Sequence, residues 1–176
     1  MISAADSVEL AVLERSGEIE SRHLGAAVLL DADGSILDSL GDPTALIYPR
    51  SAIKPLQATA VLGTGLALEG EELVLAAASH QGTPAHVAVV ERMLASAGLD
   101  ESALQCPLDW PLDPAARHAA DGPRRITMNC SGKHAGFLAA SVQNGWTTAD
   151  YLDPAHPIQR AVAATIADYA SEAITH

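Results

Sequence analysis

Positive charge is scarce in this chain of 176 residues: ten Lys plus Arg stand against 22 Asp plus Glu, a formal net charge of −12. Phosphate binding needs clustered cations, so the balance excludes a nucleic-acid partner. It excludes an anionic membrane surface for the same reason. Long apolar runs are also lacking. The longest uncharged stretch, residues 73–90, contains Ser79, His80, Gln81, Gly82, Pro84 and His86 and cannot span a bilayer. The opening MISAADSVEL has neither the basic nor the apolar region of a secretory signal. Two cysteines, Cys106 and Cys130, are too few for a disulfide scaffold. These absences leave a soluble cytoplasmic protein as the expectation.

What is present is a globular composition, 48% apolar and 18% charged, with enough length for one domain over 1–176 and a sizeable core. Lysine is the pointed scarcity. Only Lys54 and Lys133 occur beside eight arginines. Of the two residue types, only lysine can lose its proton when desolvated and act as a base. Each follows a nucleophile-type residue by three, in Ser51-Ala-Ile-Lys54 and Cys130-Ser-Gly-Lys133.

The first forty residues read as strands. Residues 8–13 are apolar and mildly alternating, and residues 25–30 are an apolar run. Asp31-Ala-Asp-Gly34 is a tight turn, and residues 35–40 continue as the partner of a hairpin. After Ser51 the apolar period lengthens to that of helices. Ser51 is placed to cap a helix ending near Gly63, with Pro55 in its first turn. Further helices are expected over 71–78, from the Thr83-Pro84 cap to a stop at Gly98, over 113–120, over 132–142 and from Pro157 to the terminus. The fold class is α+β, with N-terminal antiparallel strands followed by a helical region. So few strands cannot make a well-covered sheet, so the closing strands are expected to be missing from this chain.

Three segments can carry chemistry. In Ser51-Ala-Ile-Lys54, residues three apart share a helix face, which allows a lysine amine to take the serine proton; a capping serine followed by a surface lysine has the same spacing. Ala78-Ser79-His80-Gln81-Gly82-Thr83-Pro84 is a polar loop between helices, suited to lining a cleft or merely to ending one helix and starting another. A Ser-His-Asp triad built on His80 or His86 is a weaker alternative. In Met128-Asn129-Cys130-Ser131-Gly132-Lys133-His134, a phosphate loop is ruled out because Thr127 stands where its first Gly belongs and His134 follows the lysine. Cys130 and His134, four apart, can present two metal ligands on one helix face; a buried cysteine beside a helix-capping Ser131 is the alternative.

Together, residues 48–60 (YPRSAIKPLQATA), 78–87 (ASHQGTPAHV) and 128–139 (MNCSGKHAGFLA) resemble the bacterial L-asparaginase II family, the Rhizobium-type thermolabile enzymes. The resemblance implies a fold like the serine β-lactamases and glutaminases, and hydrolysis of L-asparagine to L-aspartate and ammonia. By the same resemblance Ser51 is the nucleophile, Lys54 its base and Ser79 a proton-relaying serine, with Arg50, His80 and Gly82 expected at the substrate. Cys130 and Lys133 match two ligands of a zinc site, and no nucleotide or organic cofactor is implied. Members of the family continue into a further cysteine and a further catalytic lysine. No Cys follows Cys130 here and no Lys follows Lys133. The chain is therefore expected to be the N-terminal part of a longer domain, lacking the third zinc ligand, with a homodimer as its assembly. Two other readings remain. One is a penicillin-interactive Ser-x-x-Lys acyltransferase, although Ser-x-Asn and Lys-Thr-Gly elements are both missing from the sequence. The other is a non-catalytic fragment that folds by pairing its open sheet edge with another chain.

Overall fold

A computed structural model describes residues 1–171 as two compact units, Met1–Pro49 and a second beginning at Arg50. The first unit holds four strands. β1 (Val8–Arg15) turns through Ser16 and Gly17, both at positive φ (54° and 84°), into β2 (Glu18–Gly25). Two consecutive left-handed residues match the right-handed twist of a tight hairpin, and glycine takes that conformation without strain. β1 pairs antiparallel with β2, Val8 opposite Gly25 and Val12 opposite Arg22. Arg22–Glu9 and Arg15–Glu20 ion pairs lie across this hairpin. β3 (Ala27–Leu30) pairs antiparallel with β4 (Ile36–Leu40) around the expected Asp31–Gly34 turn, closed by Asp31 N–H donating to Ser35 O at 2.8 Å. The two hairpins are separate two-stranded sheets.

β2 has no counterpart in the sequence reading. Its only large apolar residues, Ile19 and Leu24, fall at opposite parity, so alternation carries no strand signal there. Gly25 belongs to β2 as the partner of Val8, which moves the start of β3 to Ala27.

The second unit is helical: α1 (Lys54–Gly63), α2 (Gly70–Ala77), α3 (Pro84–Ser96), α4 (Pro114–Ala119), α5 (Ser131–Gln143) and α6 (Pro157–Ala170). The α+β class is therefore as the sequence predicts. The expected helix stop holds at Gly98, at positive φ, and Gly145, also at positive φ, follows the end of α5. Thr83 caps α3 in a reciprocal box with His86, and Asp113 caps α4 by accepting from Ala116 N–H at 2.8 Å. Ser51 is not a helix cap. It lies in a 3-10 turn, Arg50–Ile53, and Ile53 occupies the cap position of α1 with no side-chain bond. The part of the last helix expected beyond Ala170 reaches residues 172–176, which lie outside the described residues.

α5 is the centre of the core, buried on nearly every side: Ala135, Leu138 and Ala140 are fully enclosed, with Phe137 beside them. It packs against α1, α2 and α3, and more lightly against α6. A Cβ on Gly132 would stand 2.5 Å from Leu75 O, so glycine alone lets the first turn of α5 approach the end of α2 this closely. That approach brings the cysteine and lysine of one motif towards the loop that follows α2.

Candidate active site

The turn before α1 places Ser51 on the surface, directly after Arg50, whose φ of 50° is an unusual left-handed conformation for a non-glycine residue. Such conformations concentrate where the surrounding structure holds a residue for function. Arg50, Ser51, Lys54, Gln57, Cys130 and Lys133 line one cavity of about 250 Å³. The two lysines and the two nucleophile-type residues paired with them in sequence are thus gathered from motifs some eighty residues apart.

Lys54 is 3% exposed, which rules out the solvated surface lysine of the capping alternative. Its amine does not bond to Ser51. Nζ donates to Ser79 Oγ at 2.5 Å, across 25 residues of sequence. Ser79 itself is exposed, so an accessible hydroxyl has a buried amine directly behind it. That is the arrangement in which an amine can exchange protons with a reacting oxygen while staying out of water.

His80 is buried and both of its ring nitrogens are occupied. Gly82 N–H donates to Nδ1 at 3.1 Å, so the ring proton sits on Nε2, which lies 2.9 Å from Ser131 Oγ. Ser131 in turn donates to Ile126 O at 2.7 Å. Burial, with His86 and the Lys54 amine adding to it, brings the imidazole down to about 4, so the ring is neutral at pH 7. Gly82 sits at φ 71°, and a Cβ there would stand 2.9 Å from Thr127 O. Its glycine is thus required by the backbone path. No Ser-His-Asp triad forms: His80 turns to Ser131, and His86 Nδ1 engages Thr83 Oγ1 at 2.8 Å.

Residues 11–176 match the family described as L-asparaginase II. The chain belongs to the L-asparaginase II family. No curated protein matches it.

In this asparaginase II chain the zinc donors implied by family resemblance number two. Cys130 and Lys133 line the same cavity, and burial holds the Lys133 amine below the ordinary lysine range, aided by the charge of Lys54. Tetrahedral zinc needs four donors. Among the described residues no three His, Cys, Asp or Glu side chains stand together as a metal cluster. Cys106 is buried with its thiol on Arg125 O at 3.3 Å. His134, the proposed partner of Cys130, turns instead to Tyr151, whose hydroxyl accepts from Gln105 N–H at 2.9 Å and lies 2.8 Å from His134 Nδ1. The residues present do not complete a zinc sphere. Ser131 is the first helical residue rather than the cap; Cys130 takes the cap position of α5 without a side-chain capping bond.

Gln57 also lines the cavity. Its spacing of three from Lys54 puts it on the same face of α1, a signal present in the sequence. The link from His80 to Ser131 spans 51 positions, and no local pattern announces it.

Proposed function

We propose that this asparaginase II chain hydrolyses the side-chain amide of L-asparagine, a small-molecule substrate, by covalent catalysis on a scaffold of the serine β-lactamase type. The observation that supports the reading most is the buried Lys54 amine on the exposed Ser79 hydroxyl, beside the cavity that Ser51 lines. Ser51 Oγ attacks the amide carbon as its proton passes to Ser79 Oγ and the Ser79 hydroxyl proton passes to the Lys54 amine, reversing the sense of the Lys54–Ser79 bond. The tetrahedral intermediate collapses as the C–N bond breaks and the nitrogen takes a proton, so ammonia leaves first. Water then attacks the aspartyl ester, the carbon–Ser51 oxygen bond breaks, and the serine regains its proton. Arg50 faces the same cavity and supplies a fixed positive charge for the substrate carboxylate. No step runs through zinc.

An ammonia-release assay with asparagine tests this. Ser51→Ala is expected to lower kcat by about a thousandfold or more, the scale of removing a covalent nucleophile. Full activity in that variant sinks the assignment. A second reading takes Ser79 as the nucleophile, because it, and not Ser51, holds the bond to Lys54. Trapping the acyl-enzyme and locating the modified serine by mass spectrometry separates the two.

A further inference from the structure

We propose that His80 is a positioning residue, which holds Ser79 against the Lys54 amine by tying the loop after α2 to the first turn of α5 through Ser131. The inference rests on the reaction proposed above but assigns His80 a role other than substrate contact.

Three bonds converge on this one residue, and all go to protein. The backbone N–H of His80 donates to Asn129 O at 3.0 Å. Nδ1 accepts from Gly82 N–H, and Nε2–H donates to Ser131 Oγ. With both ring nitrogens spent, none is free for a ligand, and the ring is 2% exposed. Ser131 is fully buried and anchored in turn on Ile126 O, so the acceptor cannot swing away without leaving that carbonyl unpaired. Asn129 and Ser131 flank Cys130, and the side chain of Asn129 accepts from the Cys130 thiol at 3.0 Å. The His80 clamp therefore fixes two things at once. One is the placement of Ser79, its immediate neighbour in sequence. The other is the opening of α5, which brings Cys130 and Lys133 to the cavity. At the other end of the loop, Thr127 O and Pro111 fill the space a Cβ on Gly82 would occupy, so the chain is closely packed there as well. The clamp works only with a neutral ring protonated on Nε2, since a proton on Nδ1 would face the Gly82 N–H. The lowered imidazole pKa is in keeping with that state.

Two substitutions divide the bonds. Gln places an amide N–H where Nε2 stood and keeps the Ser131 link; Asn places an oxygen where Nδ1 stood and keeps only the Gly82 link. Misplacing a reacting group by about 1 Å costs up to about a hundredfold in rate. In the complete protein, His80→Asn and Ser131→Ala should each lower kcat about tenfold with KM within about twofold, and the double variant should be no slower than either single one. His80→Gln should keep kcat within about threefold of the parent. In a protein carrying 15N-labelled histidine, the His80 ring should keep its Nε2–H tautomer when L-aspartate is added.

Unchanged kcat in both His80→Asn and Ser131→Ala, with only their melting temperatures lowered, overturns the inference in favour of a purely structural histidine. A raised KM at unchanged kcat, or a tautomer switch on adding aspartate, overturns it in favour of substrate contact. If His80→Asn does not fold, Ser131→Ala alone decides, since it leaves the ring and its Gly82 bond in place. Ser51→Ala, run alongside, separates the two levels. An active Ser51→Ala protein overturns the reaction, whereas an inactive one beside a fully active Ser131→Ala overturns only the role of His80.

Discussion

The strand unit and the helical unit hold their shapes by different means. Within residues 1–49 no residue is buried; Leu29 and Ile36 are 59% and 58% exposed. Ladder hydrogen bonds, two tight turns and surface ion pairs shape these hairpins, and each such pair contributes on the order of 1 kcal/mol or less. From Arg50 on, α5 is wrapped by other helices, and a fully buried leucine there contributes about 1.5–3 kcal/mol. The chemistry follows the burial. A buried amine on an exposed hydroxyl needs a wall that excludes water, and that wall exists among the helices. Local pairing is enough to draw a strand and, through hydrogen bonds, to lower the Asp33 carboxyl, but desolvating a group such as His80 or Lys133 takes a core.

The largest effect that can test this contrast is chemical. Lys54→Arg keeps a long basic side chain, but arginine cannot give up its proton to become the base. Asparagine hydrolysis should fall about a thousandfold or more while far-UV circular dichroism keeps its helical signal. Substantial retained hydrolysis would remove the base from the proposed reaction. Next comes packing. Leu138→Ala, at a fully buried position, should cost about 2–5 kcal/mol in urea unfolding, whereas Leu29→Ala in β3 should change it by less than about 0.5 kcal/mol. Equal costs would show that the strand unit has a covered core of its own.

The smallest effect is the pH dependence of stability. An unfolded histidine titrates near 6.5 and native His80 at about 4. Between those values the unfolded chain holds the proton and the native chain does not, so stability is complete above about pH 6.5 and falls as pH drops towards 4. The loss from this group is at most about 3.5 kcal/mol, at about 1.4 kcal/mol per pKa unit. Urea unfolding of the parent and of His80→Gln isolates it. Other titrating groups, His134 among them, act in both proteins, so the variant should show the shallower fall. Parallel curves would mean that His80 is not held neutral by its surroundings.

The sequence made some of this legible. The α3 cap, the Asp31–Gly34 turn and the glycine stop at Gly98 are short-range features, set by residues within four positions of one another. The run of small and apolar residues after Gly132 announces a helix without saying that nearly every side of it is covered. β2 is hidden because its polar residues pair with β1 by backbone bonds, which side-chain patterning does not report. Ser51 reads as a cap because a serine three residues before a lysine fits both roles. A 3-10 turn took the place of the first helical turn and left the hydroxyl free.

By itself the chain determined its α+β order, its negative charge, its local turns and caps, and the three motifs that place it in its family. Each is a property of neighbours along the chain. Only the tertiary structure decided that Lys54 meets Ser79 rather than Ser51, that His80 spends both nitrogens on the protein, and that Cys130 and Lys133 come to the same cavity as Ser51. Apart from the His80–Gly82 bond, these contacts join residues 25 or more positions apart. They form because burying α5 against α1 and α2 brings those helix ends together, and the same burial removes the water that would otherwise solvate the Lys54 amine.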